Sequence, residues 1–343
     1  MTMLSTKDST APAIQLQQTQ ALWSILATMA VVTALAATFG NSYWLSTLTS
    51  AFALALAARG VALLYAQLGL VSLAQLALVG AGGWVALRLS HGTSLPFEVV
   101  VLLAGVATSV AGMAWGAPAL RLQGLYLALV TLMLAGAFQT VIVATGFPDG
   151  GPGFLGRADA AQRVMMARPV VAQSGVAYFI YVSVWLTAGL LLVERLRLGR
   201  HGRAWALIRR GNQAAQSTGV NMLRSKMQAF ALTGFLAGIA GALLAGNVGQ
   251  LDGRSFAASE SLYLFALSLV GGAHHWLGAL IAGLLLRAMP SLLTDLGVSG
   301  YAATVIFGVA LMHALVTAPR GIAGQLLDLL AKIRPAKARE PQE

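Results

Sequence analysis

The sequence contains no cysteine, and few of its 343 residues are charged. Without thiols the chain cannot form disulfides, bind a metal through sulfur or use a thiolate as a nucleophile. Charged residues make up 10% of the chain, far below the share typical of soluble domains. Hydrophobic residues make up 57%, and the mean hydropathy is +0.76. The composition therefore argues against a soluble domain and predicts a membrane protein.

Motifs that carry chemistry are also missing. The sequence has no G-x-x-x-x-G-K-[ST] phosphate loop, so we expect that the chain cannot hydrolyse ATP itself. Its five histidines form no H-E-x-x-H motif, and we expect no enzymatic activity, no metal and no cofactor in this chain. Lys and Arg exceed Asp and Glu by 11, but they do not alternate with aromatic residues on a polar segment. No nucleic-acid partner is predicted.

The sequence contains instead a series of apolar blocks of about 20 residues, the length that crosses about 30 Å of hydrocarbon. We interpret these blocks as about ten transmembrane helices, so the predicted fold class is an all-α polytopic membrane protein. A polar N-terminus over 1–20 precedes a transmembrane domain over 21–318, and a tail over 319–343 follows it. The predicted spans are 21–39, 44–66, 68–89, 99–119, 122–144, 176–193, 227–248, 256–273, 276–294 and 301–318.

Two polar segments are longer than a turn: 146–175, here called the glycine-rich loop, and 194–226, the basic segment. The basic segment contains eight Lys or Arg residues and one acid. Because cytoplasmic loops retain positive charge, we place it in the cytoplasm and the glycine-rich loop outside. With ten spans both termini are then cytoplasmic, and 15 basic residues lie inside against five outside.

The pattern of the basic segment predicts three helices separated by glycines. Ala204, Leu207 and Ile208 form one apolar stripe among arginines, which is typical of an amphipathic helix. Such short helices are marginal alone in water, so we expect a partner protein to cover them. The alternative is a charged loop that only fixes topology. The predicted boundary residues are Gly211 as a left-handed C-cap, Asn212 as an N-cap, Gly219 as a helix end and Asn221 as the N-cap of the long helix that follows.

Several blocks of the sequence, in the expected order from about 69 to 326, resemble the permeases of ABC importers, specifically the LivM-like subunit of the branched-chain amino-acid type. The strongest block is GRAWALIRRGNQAAQSTGVNMLRSKMQAFALTGFLAGIAGAL, at 202–243. The remaining blocks are GLVSLAQLALVGAGGW at 69–84, LRLQGLYLALVTLMLAGAFQTVI at 120–142, GGPGFLG at 150–156 and APRGIAG at 318–324.

The resemblance implies a coupling helix in the basic segment that docks on an ATPase subunit. The family's Glu-Ala-Ala and glycine pattern corresponds to Gln213, Ala214, Ala215 and Gly219, with glutamine in place of the acid. Arg203 and Arg209 flank this helix as further candidate coupling residues. The implied partners are two ATP-binding-cassette ATPases that hydrolyse the ATP, a sister permease in a heterodimer, and a periplasmic solute-binding protein. The candidate landing surface for the binding protein is the glycine-rich loop together with the short loop 248–256. A homodimer stays open.

The resemblance further implies import of branched-chain amino acids across a bacterial inner membrane, with urea or short amides as alternatives. A secondary transporter is a rival class, but it usually needs ionisable groups at the midplane. An intramembrane enzyme is a third class, for which no nucleophile and base are evident. The candidate pathway residues are uncharged and polar, and such side chains also serve as contacts between helices. They are Ser72, Gln75, Thr131 and Gln139.

A few ionisable residues fall within or beside the predicted spans. We interpret Arg59 and Arg287 as snorkelling or paired side chains, and Glu260 and His313 are the other two. His274 and His275 form either a pH-sensitive contact or an exposed turn.

Overall fold

The computed structural model describes residues 10–122, 124–158, 162–299 and 321–333, with five scattered positions between 300 and 320. Throughout these residues the regular elements are helices and none is a strand, so the predicted all-α class is confirmed. Most of the tenth predicted span lies outside the described residues, as do His313 and the outermost parts of both predicted terminal segments, 1–9 and 334–343.

Twelve helices can be bounded in the described chain. A π-helical turn, Leu64–Leu68, extends the second of them, and short 3₁₀ turns occur at Ala117–Leu120, Val170–Ala172 and Gly253–Phe256. The helices are α1 (Thr10–Phe39), α2 (Ser42–Leu63), α3 (Gln75–Gly92), α4 (Phe97–Gly116), α5 (Leu125–Thr145), α6 (Gly175–Leu198), α7 (Arg200–Arg210), α8 (Asn212–Ser217), α9 (Met222–Val248), α10 (Ala258–Gly271), α11 (Trp276–Asp295) and α12 (Gly321–Ile333).

Seven helices within the described residues are long and apolar enough to cross a membrane: α1, α2 with its π turn, α4, α5, α6, α9 and α11. The chain is therefore a multi-pass membrane protein. Two predicted spans, 68–89 and 256–273, differ from the structure. In the first, residues 69–74 are not helical and the helix begins only at Gln75. In the second, the helix has 14 residues, about 21 Å at 1.5 Å per residue, too short to cross alone.

Helix α9 lies at the centre of the bundle and contacts α2, α3 and α4 through small residues. A Cβ atom on Gly238 would lie 2.5 Å from the carbonyl oxygen of Ala104 on α4. A Cβ on Gly234 would overlap the carbonyl oxygen of Thr108, one turn along the same helix. The glycines of this helix therefore bring its backbone close to that of α4. Only glycine permits this approach, because any side chain here would meet backbone atoms.

Candidate functional site

The helix α3 begins inside the bundle rather than at its surface. The side-chain nitrogen of Gln75, its first residue, donates to the carbonyl oxygen of Thr233 over 3.3 Å, and Thr233 lies near the middle of the 27-residue α9. The non-helical residues 69–74 therefore run into the membrane-spanning part of the protein. Non-helical backbone at that depth requires hydrogen-bond partners from the protein, because lipid supplies none.

Hydroxyl groups of two other helices supply those partners. The backbone N–H of Leu73 donates to Thr131 Oγ1 of α5 over 2.9 Å. The backbone N–H of Leu76 donates to Ser261 Oγ of α10 over 3.2 Å. Thr131 and Ser261 are both fully buried. These two side chains thus fix the point at which the non-helical segment becomes α3.

The helix α10 begins inside the bundle in the same way. The backbone N–H of its first residue, Ala258, donates to Gln139 Oε1 of α5 over 3.0 Å. Since Ser261 lies in the first turn of α10 and Leu76 in the first turn of α3, the two helix starts lie side by side. We call this meeting of α3, α5 and α10 the helix-start junction.

The structure brings the four candidate pathway residues to this junction. Thr131 and Gln139 accept hydrogen bonds from the chain entering α3 and α10, respectively. Gln75 and Ser72 are buried at the beginning of α3, and Gln75 Oε1 has no hydrogen-bond partner within the described part of the chain. Helix N-termini carry partial positive charge, so the junction is an electropositive polar region within an apolar bundle.

Two residues of the junction, Ser261 and Thr233, are not recognised as candidates from the sequence. The signal that could have identified Ser261 is the polar run ASES at 258–261, which interrupts the apolar block predicted as the eighth span. For Thr233 the sequence offers no comparable signal, since it is a single hydroxyl within an apolar helix.

A buried ion pair ties α2 to α6 near the basic segment. Arg59 Nη2 lies 3.1 Å from Glu194 Oε2, and both side chains are only 3% exposed. Arg197 bonds the same carboxylate from one turn further along α6. The prediction of a paired Arg59 is confirmed, and its partner is the single acid of the basic segment.

The basic segment contains the three helices that the sequence predicts. Helix α7 buries Ile208 and leaves Arg203 and Arg209 on its exposed side. Trp205, which the sequence reasoning omitted, is its main anchor: it is 1% exposed and its Nε1–H donates to the carbonyl oxygen of Ser225 over 3.0 Å. The apolar face of α7 therefore packs on its own chain, and the expectation that a partner protein covers this face is wrong.

Two predicted caps are confirmed and two are corrected. Gly219 has φ of 77° and ends the second helix, and Asn221 accepts from the backbone N–H of Arg224 at the start of α9. Gly211 is not left-handed: its φ of 160° and ψ of 139° are extended. Because this extended residue already changes the chain direction, α8 begins directly after it, and Asn212 is the first helical residue rather than the cap.

The helix α8 presents two of the candidate coupling residues and hides a third. Gln213 and Ala214 are exposed, whereas Ala215 is fully buried and its carbonyl oxygen accepts from the backbone N–H of Val220 over 3.0 Å. Ala215 therefore cannot touch a partner in this arrangement, and its small size is required by contacts within the segment. The exposed Gly219 has no atoms within 4 Å of where a Cβ would lie.

Arg209 joins the basic segment to two other parts of the chain. Its Nη1 donates to the carbonyl oxygen of Ala66, just before the non-helical residues 69–74. The same nitrogen lies 3.1 Å from Nε2 of His274, in the turn between α10 and α11. Arg209 is thus an internal contact of this chain and not only a surface charge.

The two histidines in the turn between α10 and α11 have different roles. His274 is exposed, and partial burial together with the nearby Arg209 lowers its pKa. His275 caps α11 through Nδ1, and burial followed by the charge of Arg59 lowers its pKa too. With folded-state pKa values below the ordinary value of about 6.5, both rings are neutral at pH 7, and their contacts weaken as the pH falls through that value.

On the opposite side of the bundle, the described part of the glycine-rich loop is organised around one buried acid. Asp149 lies 3.4 Å from nitrogens of both Arg157 and Arg163 and accepts from the backbone N–H of Ala158. This arrangement gives the loop a defined basic surface.

The sequence matches the family model described as "Branched-chain amino acid transport system / permease component" over residues 43–315. The chain belongs to this permease family. The matched range includes the helix-start junction, the glycine-rich loop and the whole basic segment. The family consists of transport permeases rather than enzymes.

Individual relatives agree with this membership. The permease is 27% identical over 263 residues to the high-affinity branched-chain amino acid transport system permease protein LivM of Salmonella typhimurium, and 28% identical to LivM of Escherichia coli K12. Each alignment covers 68% of this chain and 62% of the relative, so the chain spans less than two thirds of their length. It is also 29% identical over 196 residues to the ribose import permease protein RbsC of Escherichia coli K12, covering 55% of this chain and 59% of the relative. No solved structure matches the chain.

Proposed function

We propose that this permease is the membrane-spanning subunit of an ABC importer that moves branched-chain amino acids delivered by a periplasmic binding protein. The observation that carries the proposal is the basic segment, in which three helices pack on the bundle while one face of α8 stays free. Family membership and the likeness to LivM support the transport class. The likeness to RbsC leaves other solutes, and urea or short amides, as alternatives within the same mechanism.

The docking surface for an ATPase subunit is the exposed face of α8 and the groove beside it. The groove has a volume of about 670 Å³ and is bordered by Gln213 and Ala214 of α8 and by Gly69 at the end of the π turn. Small side chains on α8 allow close approach of a partner backbone. Arg209 and Arg210 add positive charge to the same groove, which favours an acidic partner surface.

The coupling route runs from α7 to the helix-start junction. Arg209 contacts Ala66, which lies just before the non-helical entry to α3, and it contacts His274 in the turn that follows α10. A docked ATPase that displaces α7 therefore also displaces the residues that precede α3 and the turn that follows α10. Since the starts of these helices share hydrogen bonds, the movement alters the junction that closes the centre of the bundle.

The permease has a fixed orientation in the membrane and assembles with other subunits. The basic segment and both termini lie in the cytoplasm, and the chain crosses a bacterial inner membrane ten times, with the crossings at 68–89 and 256–273 only partly helical. Two ATPase subunits supply the energy from ATP, and a sister permease completes the pore as a heterodimer. The glycine-rich loop, with its basic surface around Asp149, receives the periplasmic binding protein.

Reconstitution tests this function. The purified permease alone in lipid vesicles is expected to show neither ATPase activity nor leucine uptake. The complete assembly of permease, sister permease, two ATPases and leucine-loaded binding protein is expected to hydrolyse ATP and accumulate leucine. Leucine uptake by the lone permease driven by a proton or sodium gradient would establish the secondary transporter instead.

A further inference from the structure

A cavity of about 670 Å³ lies in the half of the molecule opposite the basic segment. It is bounded by the first turns of α2, the end of α9, the start of α10 and the second half of α11. Its volume is within the range of about 300–1,000 Å³ that small-molecule sites occupy. The side chains that matter for its chemistry are Ser46, Ser50, Glu260, Tyr263, Arg287 and Ser291.

Two opposite charges line this cavity without a direct ion pair, although they attract each other electrostatically. Glu260 is in the first turn of α10 and Arg287 is on α11, and neither belongs to an ion pair within 4.0 Å among the described residues. An ionised side chain at membrane depth is costly unless it is compensated. The cavity therefore offers an anionic and a cationic group, each with capacity for a ligand. A second acid, Asp252, borders the same cavity but accepts from the backbone N–H of Arg254.

Hydroxyl groups of α2 add directed hydrogen bonds to one wall. Asn247 Nδ2 donates to Ser50 Oγ over 3.0 Å and to Ser46 Oγ over 3.3 Å. Because each hydroxyl already accepts from Asn247, its own proton is directed toward other acceptors. Leu244 and Leu286 supply apolar surface beside these groups.

We propose that this cavity binds the zwitterion of an α-amino acid, with the ammonium group at Glu260 and the carboxylate at Arg287. The serine hydroxyls donate to the same carboxylate, and Leu244, Leu286 and Tyr263 contact an aliphatic side chain. That the solute is an amino acid rests on the proposed function, whereas the position of the site rests on the geometry of the cavity. Glu260 is next to Ser261, whose hydroxyl accepts from the backbone N–H of Leu76 at the helix-start junction. A solute bound at Glu260 therefore lies beside the hydrogen bond that joins α3 to α10.

The absence of cysteine from the sequence makes a protection experiment direct. A single cysteine is placed on the cavity wall as Ser291→Cys, and the lone permease in lipid nanodiscs is labelled with a water-soluble thiol reagent. Leucine is expected to slow the labelling severalfold. Isocaproate, which lacks the ammonium group, and isoamylamine, which lacks the carboxylate, are expected to protect poorly. Ser217→Cys on α8 is the control cysteine, and its labelling rate is expected to be the same with and without each of the three compounds.

Charge variants in the Ser291→Cys background identify the two anchors. Glu260→Gln and Arg287→Gln are each expected to raise the leucine concentration for half protection about tenfold or more, since one charge-assisted contact is lost. Glu98→Gln, a matched change in the first turn of α4, is expected to leave protection unchanged. Equal protection by all three compounds in the Ser291→Cys protein without a charge variant contradicts the proposal.

Two further outcomes overturn the site and leave the proposed function intact. One is full import of leucine by the complete transporter with no protection of Ser291→Cys by leucine. The other is protection that depends on phosphatidylethanolamine in the nanodisc and not on leucine, which would assign the cavity to a lipid headgroup. The protection assay contains no ATPase or binding protein, so failure of ABC coupling cannot abolish protection.

Discussion

At the scale of single residues, the buried pair of Arg59 and Glu194 is the strongest polar contact between α2 and α6. Its two side chains are almost completely removed from solvent. The guanidinium of Arg59 has no water to replace the carboxylate, so removal of the acid leaves a buried charge uncompensated. Breaking a buried pair in this way usually costs more than the pair contributes.

Glu194→Gln is therefore expected to lower the free energy of unfolding by about 3 kcal/mol. Thermal unfolding of the permease in lipid nanodiscs measures this loss as a lower Tm. The matched control is Glu98→Gln, an acid in none of the ion pairs found among the described residues, and its Tm is expected to stay at the wild-type value. Equal melting of Glu194→Gln and the wild type would refute the structural role of the pair.

Residue-scale prediction from sequence succeeds where local chemistry is decisive. Asn221 and Gly219 are predictable because an N-cap and a left-handed helix end favour these residue types, but the same types at Gly211 and Asn212 do not form the predicted caps. Arg59 was identifiable as a structural pair because a charge in an apolar block needs compensation. Ala215 is buried rather than exposed to a partner, and this could not be predicted because the side on which α8 packs is not encoded in its own six residues.

At the scale of secondary-structure elements, the central feature is that α3 and α10 both begin inside the bundle. The apolar blocks at 68–89 and 256–273 resemble complete spans in composition, since hydropathy does not distinguish a helix from buried extended chain. Tertiary contacts set the starts of these two helices. Backbone N–H groups at the starts donate to side chains of Thr131, Gln139 and Ser261 instead of to a preceding turn of helix. The candidate polar residues could be found from sequence, but their arrangement could not.

Removing these acceptors is expected to weaken the junction. Thr131→Val and Ser261→Ala each leave one buried backbone N–H unpaired, at a cost of about 1–3 kcal/mol. The control is Thr140→Val, because Thr140 is exposed on α5 and its hydroxyl donates only to Gly136 of its own helix. Tm and leucine uptake are measured for all three. A Thr140→Val protein as impaired as the other two would show that hydroxyl loss on these helices is generally harmful, and the junction would lose its special role.

At the scale of the whole molecule, the basic segment and the proposed solute cavity lie at opposite ends of the bundle. The basic segment is anchored on the bundle by Trp205 and linked through Arg209 to the entry of α3 and the exit of α10. The proposed solute cavity lies at the other end, next to the start of α10. The central claim is that ATPase closure reaches the junction through the exposed face of α8.

The most direct test of this claim places a bulky side chain on that face. Ala214→Trp in the complete transporter is compared with Val110→Trp, an exposed position on α4 outside the basic segment. ATPase retention on the tagged permease and ATP-driven leucine uptake are measured in the same vesicles. Ala214→Trp is expected to reduce both by about tenfold, as loss of a central interface contact does, and Val110→Trp is expected to reduce neither. Wild-type retention and wild-type uptake by Ala214→Trp would contradict the account.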